Sequence, residues 1–312
     1  MTDNKLVSIA MCTYNGERFL KQQIDSLINQ TYKNLEIIIV DDGSKDATVD
    51  MVNAYAAQDA RIRFIRNEKN LGYVKNFEKA IGLCTGDFIA LSDQDDEWDL
   101  NKIQLLVENI GDNILIYHNS LLVEEGGKPI CLLSEVLNMY EGDSPLPFVF
   151  YNCVSGHSCM FKKELVPHLG SFDPNYFHDW WIAFVAGSFG RIKFLNMPLV
   201  NYRQHGTANT DILKARDKGK ALINPVKYKE FKLTGLYHMA TVKGKSYGVI
   251  TKLIYLLEHK NILNSFKLFQ LLLANYKEMY FFKKKSNISK INYIRKASFH
   301  TRDFWLAAND PL

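Results

Sequence analysis

The chain contains no Gly-x-Gly-x-x-Gly, no Gly-x-x-x-x-Gly-Lys-Ser/Thr, no Cys-x-x-Cys and no run approaching the roughly 18 apolar residues of a membrane-spanning helix. The first two absences argue against Rossmann-type dinucleotide binding and against P-loop phosphoryl transfer. Its five cysteines, Cys12, Cys84, Cys131, Cys153 and Cys159, are odd in number and scattered through apolar segments. That usage fits reduced thiols in a cytoplasmic protein better than disulfides or a zinc site. The N-terminal Met-Thr-Asp-Asn-Lys lacks the apolar core of a signal peptide, so any membrane association is expected to be peripheral. Internal repeats and low-complexity tracts are also missing.

A chain of 312 residues, 47% hydrophobic and 23% charged, is long enough for one large α/β domain with an appendage. Its net charge of +4 conceals a strong asymmetry. Residues 1–212 carry 18 Lys and Arg against 28 Asp and Glu, whereas residues 213–312 carry 20 against 6. The division suggests an acidic enzyme core over 1–212 and a basic, mainly helical region over 213–312.

Within the acidic part, strand and helix signals alternate. Leu6 to Cys12 reads as a strand, and Leu20, Ile24, Leu27 and Ile28 mark one face of a helix over Glu17 to Gln30. The run Leu35 to Val40 is apolar and β-branched, as in a parallel strand covered on both faces. A helix after Asp46, a strand at Ile62 to Ile65, a helix from Tyr73 to Leu83 and a strand at Phe88 to Leu91 continue the pattern. Such alternation predicts an α/β fold with a mostly parallel central sheet, whose ligands bind outside the carboxyl ends of the strands.

Three polar motifs fall at those ends: Thr13-Tyr14-Asn15-Gly16, Asp41-Asp42-Gly43-Ser44 and Ser92-Asp93-Gln94-Asp95-Asp96-Glu97-Trp98. Taken singly, each reads equally as a turn with a helix cap. Together, they suit a nucleotide diphosphate. Asp42 can accept hydrogen bonds from a base or ribose, while Asp93 and Asp95 suit the ribose and a hard divalent metal, Mg²⁺ or Mn²⁺, at the pyrophosphate.

The order and spacing of these motifs, with Thr85-Gly86-Asp87 ahead of the third, resemble those of the inverting family 2 glycosyltransferases of GT-A fold. The resemblance covers roughly residues 5–210. It implies a nucleotide-sugar half over 1–100 and an acceptor half over 101–212. Thr13, Tyr14, Asn15 and Asp42 would then contact the donor nucleotide, with Asp93 near its ribose and Asp95 on the metal. Ser155-Gly156-His157-Ser158 stands where the family has its acceptor loop, and Phe177-His178-Asp179-Trp180-Trp181 where it usually has Glu-Asp. His178 replaces the Glu. Ser155, Gly156, His157 and Trp180 are therefore expected on the acceptor side and Asp179 as the general base, since an inverting transfer needs a carboxylate to take the acceptor's proton. The bland reading has Asp179 capping a helix whose Trp180, Trp181 and Phe184 are core. In Tyr202-Arg203-Gln204-His205-Gly206, His205 is a candidate metal ligand or an ordinary loop residue, and Arg203 could meet phosphate.

The acidic motif and the His-Asp-Trp-Trp and Tyr-Arg-Gln-His segments look like those of bacterial rhamnosyltransferases of cell-surface polysaccharide synthesis. The resemblance implies dTDP-rhamnose as donor, ahead of a UDP-hexose, and a lipid-linked oligosaccharide as acceptor. Helix candidates at Val249 to Leu257 and Ile262 to Leu273, followed by Met279-Tyr280-Phe281-Phe282-Lys283-Lys284-Lys285, either dock on the anionic inner face of the bacterial cytoplasmic membrane or pack on the core with solvated lysines. The acidic front and the lack of a nucleic-acid motif argue against a nucleic-acid partner.

Overall fold

Every residue of the first strand, β1 (Val7–Thr13), is buried, and the strand divides its side chains between two cores. Val7, Ile9 and Met11 face a cluster with Leu20, Ile24 and Leu27 of α1 (Glu17–Ile28) and Ile103, Leu106, Val107 and Ile110 of α4 (Lys102–Ile110). Ala10 and Cys12 face the opposite cluster with Val74, Phe77, Ala80 and Ile81 of α3 (Tyr73–Leu83). This two-sided burial is why the strand is apolar almost throughout. The computed structural model describes residues 5–205, 233–282 and 286–299.

The remaining strands are β2 (Leu35–Asp41), β3 (Ile62–Arg66), β4 (Phe88–Ser92), β5 (Glu97–Trp98), β6 (Leu115–Glu124), β7 (Pro129–Leu132), β8 (Cys159–Lys162) and β9 (Ile192–Gln204). They form one sheet in the order β3-β2-β1-β4-β8-β6-β9-β5, with β7 paired to β6. From β3 to β4 all pairings are parallel. Their register sets Thr13 beside Asp41 and Met11 beside Ser92, so the three polar motifs emerge at one sheet edge. Beyond β4 the sheet is mixed, because β8 runs antiparallel to β4 and β6.

Thr85-Gly86-Asp87 proves to be architectural. Glu36 accepts from the backbone N–H of Thr85 and Gly86, and Asp87 accepts from Leu6 N and Lys5 Nζ. A Cβ on Gly86 would stand 2.7 Å from Leu6 O and 2.8 Å from Ser8 N, so only glycine lets the turn close against β1.

The second half of the sheet carries the rest of the site. Parallel to β6, β9 runs long enough to bring Arg203 and His205 under the acidic loop, where β5 pairs antiparallel with Val200 and Asn201. After α2 (Thr48–Ala56), α5 (Leu133–Val136) and α6 (Val166–Leu169), helix α7 (His178–Phe189) is buried on nearly all sides, which makes it a core helix rather than an amphipathic one.

The boundary expected at 212 and 213 lies outside the described residues, as does the Lys283-Lys284-Lys285 run. The helices Tyr247–Glu258, Ile262–Ala274 and Asn287–Phe299 contribute Leu253, Leu268, Leu272 and Ile294 to the same core as α3 and α7. The aromatic half of the expected docking cluster is absorbed there too: Phe282 stacks on Tyr151 at 4.8 Å, and Tyr280 packs beside Phe150. Among the described residues no helix is long and apolar enough to cross a membrane.

Candidate active site

At the end of β2 two adjacent carboxylates do different structural work. Asp41 accepts from Thr13 Oγ1 at 3.0 Å, from the backbone N–H of Gly43 and Ser44, and from the Ser44 hydroxyl. Asp42 accepts from Asn67 Nδ2, Leu71 N and Gly72 N at 2.8, 2.8 and 2.9 Å. Both Thr13 and Asp42, the two expected base contacts, are buried, and these hydrogen bonds tie the ends of β1 and β2 to each other and to Asn67, Leu71 and Gly72. The outward groups are Tyr14, 48% exposed, and Asn15, whose φ of 47° is held by hydrogen bonds to Ser44 Oγ and Lys45 N.

After β4 the chain turns through Asp93, Asp95 and Asp96. Asp95 Oδ2 lies 3.0 Å from His205 Nε2, which brings together the two residues expected to share a metal. Arg203 does not face outward as a phosphate fork. Its Nε donates to Asp95 O at 3.0 Å, and its two terminal nitrogens donate to Glu125 O and Gln22 Oε1 at 2.7 and 2.8 Å. The guanidinium stacks over Phe19 and so braces the acidic loop from behind.

A second cluster of donor atoms lies beneath the acidic loop. His157, expected at the acceptor loop, is buried beneath the acidic loop with Nδ1 at 3.7 Å from Asp96 Oδ2 and 3.9 Å from Asp93 Oδ2. Its Nε2 lies 2.9 Å from Ser120 Oγ. Burial first, and the Lys102 charge second, push the His157 imidazole down to about 3, which keeps it neutral and able to ligate. Asp96 Oδ1 accepts from Arg203 N, whereas its buried Oδ2 has no hydrogen-bond partner. Burial and the neighbouring carboxylates of Asp95 and Asp93 hold Asp96 well above the ordinary carboxylate range. Desolvation and the carboxylates of Asp95 and Asp179 raise Asp93 to about 7. Lys102, fully buried over the Trp98 ring, donates to His157 O at 2.6 Å, and burial holds its amine well below the ordinary lysine range. An orphaned carboxylate oxygen, clustered acids and the neutral His157 are a donor set that fits a divalent metal.

Several residues expected on the acceptor side gather around the first turn of α7. Asp179 accepts from Gly156 N at 3.2 Å, Asn152 Nδ2 at 3.2 Å and its neighbour Trp180 N at 2.6 Å. Burial pushes its carboxyl up to about 6, and the hydrogen bonds from Trp180 and Gly156 oppose that rise. Asp179 also lies close enough to Asp93 to disfavour its ionisation. Gly156, from the loop that carries Ser155 and His157, thus meets Asp179. Trp180 is corrected to a core residue, because the helical phase that leaves Asp179 at the cleft turns the indole inward to donate to Phe148 O. His178 stacks on Phe77 at 4.1 Å, with both ring nitrogens buried and lacking hydrogen-bond partners, and burial lowers it to about 3. In place of a second acid, the site has a neutral aromatic plate.

A helix-flanked sheet with an acidic loop at its carboxyl edge is an architecture of GT-A type. Residues 8–166 match the family model "Glycosyl transferase family 2", and the chain belongs to that family. It is similar to the amylovoran biosynthesis glycosyltransferase AmsB of Erwinia amylovora, 27% identical over 62% of this chain and 68% of AmsB. Its fold is similar to that of Staphylococcus aureus TarS 1–349, solved with UDP-GlcNAc, at a TM-score of 0.63 and 14% identity over 98% of this chain and 89% of that one. The mannosyltransferase PcManGT of Pyrobaculum calidifontis, solved with GDP-Man and Mn²⁺, gives a TM-score of 0.52 at 16% identity over 97% and 85% of the two chains. The protein is thus a family 2 glycosyltransferase.

Proposed function

We propose that the chain is an inverting, metal-dependent transferase that moves a sugar from a nucleotide diphosphate to a lipid-linked glycan. The observation that carries this reading is Asp179, half-buried, raised to about 6, anchored by Gly156 N and close enough to Asp93 to disfavour its ionisation. Tyr14 and Asn15 would take the base, with Thr13 and Asp42 shaping the wall behind them. Asp95 with His205 would hold Mg²⁺ or Mn²⁺, and Asp93, Asp96 and His157 offer further ligand atoms below. Bound there, the metal would act as a Lewis acid on the nucleotide diphosphate.

The acceptor hydroxyl would lose its proton to the Asp179 carboxylate as its oxygen bonds to the anomeric carbon. The bond from that carbon to the phosphate oxygen breaks, and its electron pair leaves with the nucleotide. A single displacement of this kind inverts the anomeric centre. His178, neutral and stacked on Phe77, adds no second charge beside the base, so Asp179 can ionise above about pH 6.

The sequence motifs favour dTDP-rhamnose, and the fold shared with a UDP-GlcNAc complex supports a UDP-hexose as the second reading. Incubating the protein with dTDP-rhamnose, UDP-glucose, UDP-galactose and UDP-GlcNAc plus Mn²⁺, and measuring nucleotide release, separates them. The fastest release is expected from dTDP-rhamnose. Release from no donor would leave a sugar-nucleotide-binding scaffold.

Access to a lipid-linked acceptor is supported by an apolar patch on the basic region. Ile262 and Leu263 are 79% and 63% exposed, and Phe266 lies on the same helix face beside Lys267. Such a face suits the anionic inner surface of the bacterial cytoplasmic membrane. Changing Ile262 and Leu263 together to Asp should reduce sedimentation with vesicles containing phosphatidylglycerol by about tenfold while leaving the melting temperature unchanged. Equal sedimentation of the variant would remove the patch from this role.

A further inference from the structure

Between Asp93 and Asp95 stands a residue that the proposed reaction does not use. The Gln94 side chain reaches back to the end of β1, where its Oε1 accepts from Tyr14 N at 2.8 Å and its Nε2 donates to Tyr14 O at 3.1 Å. A two-way amide bridge fixes orientation as well as distance, because one half cannot keep its geometry if the partner peptide rotates. The gripped segment is otherwise shaped by the left-handed Asn15 and its bonds to Ser44 and Lys45. Gly16 then leaves room for the bridge. A Cβ at that position would stand 2.6 Å from Gln94 Cδ and closer still to Oε1.

We infer that Gln94 is a positioning residue that couples the base side of the donor site to its metal side. The inference rests on the donor site proposed above. Tyr14 belongs to the segment assigned to the base, and Asp93 and Asp95 flank Gln94 in the loop assigned to the ribose and metal. With the bridge closed, both segments are held in one arrangement before a donor arrives, which reduces the ordering that binding must supply. In this arrangement both polar ends of the Gln94 amide are engaged by the Tyr14 backbone. Its loss should therefore be felt on both sides of the donor at once, with the Asp179 step left in place.

Two substitutions cut the bridge by different routes. Gln94→Ala removes the amide. Gly16→Ala evicts it sterically, and the displaced group is the far end of a flexible side chain, so the backbone can stay where it is. Calorimetry on the full chain would measure the affinity of dTDP and of UDP with Mn²⁺, and separately the affinity of Mn²⁺ in the presence of inorganic pyrophosphate, a probe without a base. Both variants are expected to bind the better nucleotide about tenfold more weakly and Mn²⁺ with pyrophosphate about threefold more weakly. The turnover number at saturating donor should stay within about twofold, and Gln94→Glu, which keeps the acceptor but loses the donor, should fall between wild type and Gln94→Ala.

Wild-type affinities in both variants would overturn the inference. Weaker nucleotide binding with unchanged Mn²⁺ binding would also overturn it, because Gln94 would then serve the base alone. A drop in melting temperature with unchanged affinities would make Gln94 a purely structural residue. If the wild-type chain bound neither nucleotide with Mn²⁺, the donor site itself would fail and this coupling with it.

Discussion

Asp179→Asn is expected to lower the turnover number by about 10²- to 10⁴-fold while leaving nucleotide affinity within about threefold, the signature of a group that acts on the acceptor's proton alone. The amide keeps the size of the carboxyl group and an oxygen for Gly156 N, so the loop should hold its shape. Asp179 also sets the pH response. Burial lifts its pKa to about 6, and a base must be ionised to work, so kcat/KM should fall as pH drops through about 6 and level off above it. Linkage runs the other way for stability. A carboxyl raised in the folded state contributes stability that is present below the unfolded value near 4, about the ordinary carboxylate range, and lost as pH rises through about 6. The Asn variant, free of that buried charge, should melt at pH 7.5 no more than a few degrees below wild type, so unfolding would not account for its lost turnover. Turnover near wild type, or an acid limb that survives the substitution, would take the base role away from Asp179.

Asp95→Ala is expected to weaken Mn²⁺-dependent nucleotide binding by about 10²-fold, with little effect on whatever binding persists in EDTA. His205→Ala should cost about tenfold by the same measure. Since Asp95 Oδ2 and His205 Nε2 lie 3.0 Å apart, the double variant should lose less than the sum of the two singles, as groups sharing one ion do. Simple additivity would show that His205 acts independently of Asp95 and would separate it from the metal. Metal-dependent binding that persists in Asp95→Ala but disappears in Asp96→Asn or His157→Ala would move the ion to the buried set.

Residue pattern carried the front half of this molecule and faded where burial broke the usual link between polarity and exposure. Leu35 to Val40 and Phe88 to Leu91 are readable as strands because an apolar β-branched run admits few alternatives, and the structure extends each by one residue, to Asp41 and Ser92. In contrast, β9 mixes Lys193, Asn196, Pro198 and Asn201 into its thirteen residues, and its register against β6 shifts near His118 and Asn119, so no clean alternation marks it. That strand delivers Arg203 and His205, which is why Arg203 reads from sequence as a phosphate fork and not as a brace.

The site divides in a similar way. Strand-end motifs locate Asp42, Asp93 and Asp95 because in a parallel sheet the chain order itself puts such loops together. Lys102, Asp96 and His157 were illegible as partners, since a lysine at a helix start and a histidine in a Ser-Gly-His-Ser loop ordinarily face water. Only tertiary packing shows them fully enclosed. Gln94 reads as the spacer of an Asp-x-Asp, and nothing local reveals that Gly16, far away in the chain, makes room for it. The C-terminal aromatics mislead for the opposite reason: Tyr280 and Phe282 next to lysines suggest a membrane anchor, yet their rings fill the core and leave Ile262 and Leu263 outside.

The central claim is direct displacement assisted by Asp179, and the anomeric configuration of the product tests it most directly. With the donor that gives the fastest metal-dependent nucleotide release and its acceptor, proton NMR should show a new glycosidic bond of the opposite configuration to the donor's, formed by wild type and absent with Asp179→Asn. Retained configuration, or an inverted product formed equally well by Asp179→Asn, would contradict the account.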